Sequence, residues 1–132
     1  MTIHRLGFLG VRVADPGRYA ATVALYRDLL ELPVIAEAPH RFVWFRLADG
    51  TQVHVYGPLD EDHLAFGESP CVGFVVGDVD ETRAILESAG IEFLWATQHD
   101  GDVTWAHYRG PDGAVYELID RDQRVREDPS TG

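Results

Sequence analysis

Residues 6–13 alternate in polarity. Leu9, Val11 and Val13 fall on one face and Phe8, Gly10 and Arg12 on the other, the period of a half-buried strand. Asp15-Pro16 then predicts a helix start, with Asp as N-cap and Pro in the first turn. Tyr19, Val23, Tyr26 and Leu30 form an apolar stripe at helical spacing, and Pro33 ends the helix. A short strand is expected at 34–37, then strands at 41–47 and 51–57 joined by an Asp49-Gly50 turn. On these strands Val43, Phe45 and Leu47 oppose Phe42, Trp44 and Arg46, and Val53 and Val55 oppose Gln52, His54 and Tyr56. The first half therefore reads βαβββ.

The order then repeats. Residues 58–69 read as an acidic linker punctuated by breakers. A strand at 71–77 places Val72, Phe74 and Val76 opposite Cys71, Gly73 and Val75. Asp78, with Glu81 three positions on, predicts a capped helix that closes at Gly90. Strands follow at 91–97, 102–109 and 114–119, the last two joined by Pro111-Asp112-Gly113. Trp105, His107 and Arg109 share one face, as do Val115, Glu117 and Ile119.

A single offset of 63 residues carries Asp49-Gly50 onto Asp112-Gly113, Arg46 onto Arg109, Phe45 onto Tyr108 and His54 onto Glu117. It also carries Gly10 onto Gly73, Val13 onto Val76 and Asp15 onto Asp78. The reading is an internal duplication: an α+β domain over residues 1–132 made of module one (4–57), the linker (58–69), module two (70–119) and a charged tail (120–132) expected to fray. The modules are expected to be related by a pseudo-twofold axis. Two helices must cover one face of the sheets, and the Val/Leu/Phe face is the natural choice. The other face then carries Phe8, Phe42, Trp44, His54, Tyr56, Cys71, Trp105, His107 and Glu117. An aromatic wall with a few convergent polar groups is what a small-molecule site needs. A carboxylate such as Glu117, set between Tyr116 and Leu118, must point away from the helix-covered core.

Composition adds limits. The net charge of −11 disfavours nucleic acid and anionic membranes as partners and favours cationic small molecules, although solubility alone accounts for the charge. No apolar run has membrane-spanning length, the first residues lack the form of a signal peptide, and Cys71 is the one cysteine. A reducing cytoplasm is the expected location.

Four stretches carry a family resemblance: Gly10-Val-Arg-Val-Ala-Asp15, Leu29-Leu-Glu-Leu32, Cys71-Val-Gly-Phe-Val-Val-Gly-Asp-Val-Asp80 and, most specifically, Arg109-Gly-Pro-Asp-Gly-Ala-Val-Tyr-Glu-Leu118. With them, residues 4–119 resemble the vicinal oxygen chelate superfamily of glyoxalase I, extradiol dioxygenases, methylmalonyl-CoA epimerase and bleomycin-resistance proteins. The resemblance implies that each module forms half of a cupped cleft with helices outside. It maps the family's metal-ligand positions onto Phe8, His54, Cys71 and Glu117, and it implies a homodimer. Phe8 has no lone pair, so this chain departs from the metal-dependent pattern. The implied function is then that of the bleomycin-binding branch: a small aromatic or cationic molecule held without a complete metal site and with no cofactor. Phe42, Trp44 and Trp105 would stack on it, and Glu117 would meet its charge. The alternative is a lyase, isomerase or dioxygenase with a divalent metal on His54 and Glu117. A third reading makes Glu117 a metal-free catalytic acid–base group. His107, one strand over, reads as an exposed strand residue before it reads as a catalytic one.

Overall fold

The computed structural model describes residues 2–120, so the tail expected to fray lies, from residue 121 on, outside the described residues. Strand β1 (Ile3–Arg12) leads into helix α1 (Pro16–Ala24) and strands β2 (Val34–Ala38), β3 (Phe42–Arg46) and β4 (Gln52–Tyr56). Strand β5 (Cys71–Val76) leads into helix α2 (Val79–Ser88) and strands β6 (Glu92–Phe93), β7 (Gln98–Asp100), β8 (Val103–Arg109) and β9 (Val115–Ile119). Both helices start as the sequence predicts: Asp15 accepts from the Arg18 amide and Asp78 from the Glu81 amide.

The strands form one open mixed sheet in the order β2-β3-β4-β1-β5-β9-β8-β6, with β7 on β8. The 63-residue offset is written into its register. Gly10 opposite His54 recurs as Gly73 opposite Glu117, and Trp44 opposite His54 recurs as His107 opposite Glu117. At the seam, antiparallel β1 and β5 pair Phe8 with Gly73 and Gly10 with Cys71, as a twofold axis between them requires. The hairpin turns also match. Asp49 accepts from the Thr51 amide and Asp112 from the Ala114 amide, with Gly50 and Gly113 at φ 88° and 86°.

The helices cover the face that the alternation selects. Tyr19 and Val23 of α1 pack on Val43, Phe45, Val53 and Val55, while Val79 of α2 packs with Val76, Ala106 and Leu118. The opposite face holds Phe8, Tyr56, Phe66, Cys71 and Val115 in one cluster and Val75, Val103 and Ile119 in another. Phe8 needs both seam glycines: a Cβ on Gly73 would lie 2.3 Å from its Cδ1, and one on Gly10 would lie 2.7 Å from its Cε2.

Three expectations are corrected. The apolar stripe of α1 does not run on to Leu30, because a π turn (Leu25–Leu29) adds a residue and rotates the end of the helix. Leu30 is 55% exposed, and Leu32 packs on the core instead. The strand expected at 91–97 pairs only over Glu92–Phe93, and a separate short strand forms at Gln98–Asp100. Residues 58–69 are more than a connection: they carry a 3₁₀ turn (Leu64–Phe66) whose Phe66 packs on Phe8, Tyr56 and Cys71. No helix among the described residues is long and apolar enough to cross a membrane.

Candidate functional site

The concave face encloses a cavity of about 600 Å³. The seam supplies Phe8, β3 and β4 supply Trp44, His54 and Tyr56, and β8 and β9 supply Trp105, His107, Glu117 and Ile119. Phe42 and Cys71 do not line it. Phe42 lies beside Trp44 with ring centroids 5.3 Å apart, and Cys71 is wholly buried in the Phe8–Phe66 cluster. Two segments complete the wall without any strand periodicity to announce them. They are 61–66, with Glu61, Asp62, His63 and Phe66, and 95–100, with Trp95, Gln98 and Asp100.

The halves of the sheet present different chemistry at equivalent positions. In module one, His54 sits in a closed polar chain. Its Nε2–H donates to Gln52 Oε1 at 2.8 Å, its Nδ1 accepts from the Tyr56 hydroxyl at 2.9 Å, and its ring stacks on Trp44 at 4.1 Å. Burial pushes the Tyr56 phenol well above its ordinary range, with the Glu117 and Asp60 carboxylates adding to the effect, so it remains a donor.

In module two, His107 is not exposed, as the sequence suggested, but 4% accessible, and Trp95 meets its ring edge-on at 5.4 Å. His107 Nε2 lies 3.2 Å from Glu117 Oε1, within ion-pair range but not aligned as a hydrogen bond, and Glu117 Oε2 is buried with no hydrogen-bond partner. A buried carboxylate oxygen left unpaired in an apolar wall carries a desolvation cost that a donor or cation could relieve.

The third wall is pinned by Asp60, 4% exposed. Its carboxylate accepts from Arg12 Nε at 3.3 Å, from the His63 amide at 3.0 Å and from His63 Nδ1 at 2.7 Å. Arg12 Nη2 also donates to the Asp60 carbonyl at 3.0 Å. His63 is thereby held flat on Tyr56, with ring centroids 3.6 Å apart.

These residues do not fit the divalent metal that the resemblance implies. Phe8 offers no donor, both His54 nitrogens are engaged, and the Cys71 thiol is pushed far up by burial and then by Glu117. Among the described residues no three His, Cys, Asp or Glu side chains converge as a metal-binding group. The raised thiol has a consequence for stability. A folded pKa above the unfolded value stabilises the native state fully below about pH 8.5, and that contribution falls away as the pH rises and the unfolded thiol ionises. Cys71 is accordingly expected to resist Ellman's reagent at pH 8 in the native protein and to react fully in guanidinium. Rapid native reaction would show that the cluster around it opens.

No family model matches the sequence, and no curated protein matches it. Solved structures do. A glyoxalase/bleomycin resistance protein/dioxygenase superfamily member from Vibrio splendidus 12B01 is 18% identical, with a TM-score of 0.66 over 91% of this chain and 100% of that one. A variant of the Streptomyces coelicolor methylmalonyl-CoA epimerase, in complex with 2-nitronate-propionyl-CoA, is 21% identical, with a TM-score of 0.63 over 97% and 100%. A hypothetical protein from Bacillus halodurans C-125 is 16% identical, with a TM-score of 0.63 over 89% and 94%. Likeness at such identities speaks for architecture alone. Joined to the strand–helix–strands order of both halves and the register that repeats across the β1–β5 seam, it establishes that this chain has the vicinal oxygen chelate fold.

Proposed function

We propose that the cavity binds a small organic cation bearing an aromatic ring, without a metal. The observation that carries this reading is the make-up of the wall: Trp44, Trp95 and Trp105 stand with the carboxylates of Glu61, Asp62, Asp100 and Glu117, and no arginine is among the described lining residues. Indole faces and carboxylates both attract a desolvated cation, and the rings give an aromatic group area to stack on. The unpaired Glu117 Oε2 supplies a buried site for positive charge. An anionic ligand would find few partners. The Streptomyces epimerase is seen with 2-nitronate-propionyl-CoA; the acidic wall of this cavity disfavours phosphate groups of that kind.

The test is a tryptophan-fluorescence titration with 2-phenylethylammonium and with phenylacetate, its anionic counterpart. The ammonium is expected to bind saturably and the carboxylate not to bind. Glu117→Gln is expected to weaken the ammonium about tenfold, roughly 1.4 kcal/mol. Equal or tighter binding of phenylacetate would reverse the reading. A metal-dependent lyase or dioxygenase activity is not favoured by the donor set described above.

A further inference from the structure

Three histidines line the cavity, and the structure gives them different hydrogen-bonding states. His54 has both ring nitrogens committed, to Gln52 and to Tyr56. His107 has both nitrogens closed off from solvent. His63 differs from both. Its Nδ1 is 2.7 Å from Asp60 Oδ1, and a carboxylate only accepts, so Nδ1 carries the hydrogen. In the neutral ring the lone pair is then on Nε2. That atom has no hydrogen-bond partner among the described residues and is not closed off, and the side chain keeps 25% of its accessibility on the cavity wall.

His63 is also unusually well held for a residue outside regular structure. Its amide and its ring both reach Asp60, its ring lies on Tyr56 at an interplanar angle of 14°, and Phe66 flanks it at 5.2 Å. Arg12 also pairs with the buried Asp60 carboxylate, which fixes the acceptor that the ring meets. The Asp60 carboxylate thus fixes the tautomer and the ring plane together, as carboxylates do for histidines that must present one chosen nitrogen.

We propose that His63 Nε2 is a hydrogen-bond acceptor that selects ligands whose positive nitrogen carries N–H, such as primary ammonium groups, over quaternary ammonium groups of similar size. The proposal rests on the cation-binding reading of the same cavity. Aromatic faces attract both kinds of cation, and Glu117 draws both by charge while Oε2 also accepts from an N–H, so His63 adds to a preference it does not carry alone. A fixed acceptor rewards only the one with a hydrogen to give, because a charge-assisted hydrogen bond is directional.

The experiment compares 2-phenylethylammonium with N,N,N-trimethyl-2-phenylethylammonium by fluorescence titration at neutral pH. In the wild-type protein the primary ammonium is expected to bind about tenfold tighter. In His63→Phe, which keeps a ring to lie on Tyr56, the advantage of the primary ammonium is expected to shrink about threefold or more while the dissociation constant of the trimethyl compound changes less than about twofold. A second readout needs no variant: in long-range ¹H–¹⁵N spectra the His63 Nε2 resonance is expected to shift on adding the primary ammonium and to stay put with the trimethyl compound. Equal affinities in the wild type, or selectivity undiminished in His63→Phe, would overturn the proposal and leave cation binding standing. Failure of both compounds to bind would bring down both readings.

Discussion

Replacing Phe45 with alanine is expected to destabilise the protein by about 3–5 kcal/mol. Phe45 is wholly buried, sits between the strand neighbours Val34 and Val53, and meets the Tyr26 ring at 5.7 Å. Its ring fills the space between the sheet of module one and α1, where Tyr19 and Val23 descend from the helix. Alanine there removes transfer free energy and leaves a cavity that sheet backbone on both sides cannot collapse into. Against a typical total of about 5–15 kcal/mol the variant would be near the edge of folding. Denaturant titration should show a lower midpoint at unchanged slope. A loss below about 1.5 kcal/mol would mean that this core repacks freely, contrary to the close fit described.

Asp60→Ala is the second large effect. A buried carboxylate is removed while the Arg12 side chain, 14% exposed, and the His63 amide remain where they were. Breaking such a pair from one side costs about 3–5 kcal/mol, because the surviving charge is left without compensation. Asp60 also holds the wall formed by 61–66, so part of the cost should appear locally. Amide hydrogen exchange at residues 61–66 is expected to accelerate while β3 and β4 stay protected. The contrast is Arg83 and Glu87 on α2, where Glu87 is half exposed. Severing that pair should cost no more than about 1 kcal/mol. Unchanged exchange across 61–66 in Asp60→Ala would deny Asp60 its anchoring role.

The parts of the molecule legible in the sequence are those governed by short-range rules. Asp15, Asp78 and the two Asp-Gly turns announce element boundaries through local hydrogen bonding, and they fall where expected. The alternation Val53/Val55 against His54/Tyr56 sorts the sheet faces because one side must meet a helix. The π turn after α1 was not legible, since no residue type marks it; Leu30 fits a regular stripe that the backbone does not continue. His107 looked exposed because nothing near it in sequence tells that Trp95, twelve residues earlier, crosses over it. The wall from Asp60 to Phe66 escaped for a similar reason. One clue was available: Arg12 falls on the cup face of β1, and an arginine there needs a carboxylate from elsewhere in the chain. Of the residues named from sequence for the site, Phe8, Trp44, His54, Tyr56, Trp105, His107 and Glu117 share the cavity, while Phe42 and Cys71 pack with the Phe8–Phe66 cluster without lining it.

The parallel ladders have a kinetic corollary. Gly10 waits for His54, and Gly73 for Glu117, so neither half can complete its sheet from hairpins alone. Such long-range closures are slow steps in folding. On the ribosome the first half can finish once β4 has emerged, but the bowl needs β9, the last strand among the described residues. A molecule that fits the bowl therefore arrives too late to guide assembly. It can only hold the finished protein against unfolding, and it should slow the unfolding rate while leaving the refolding rate untouched.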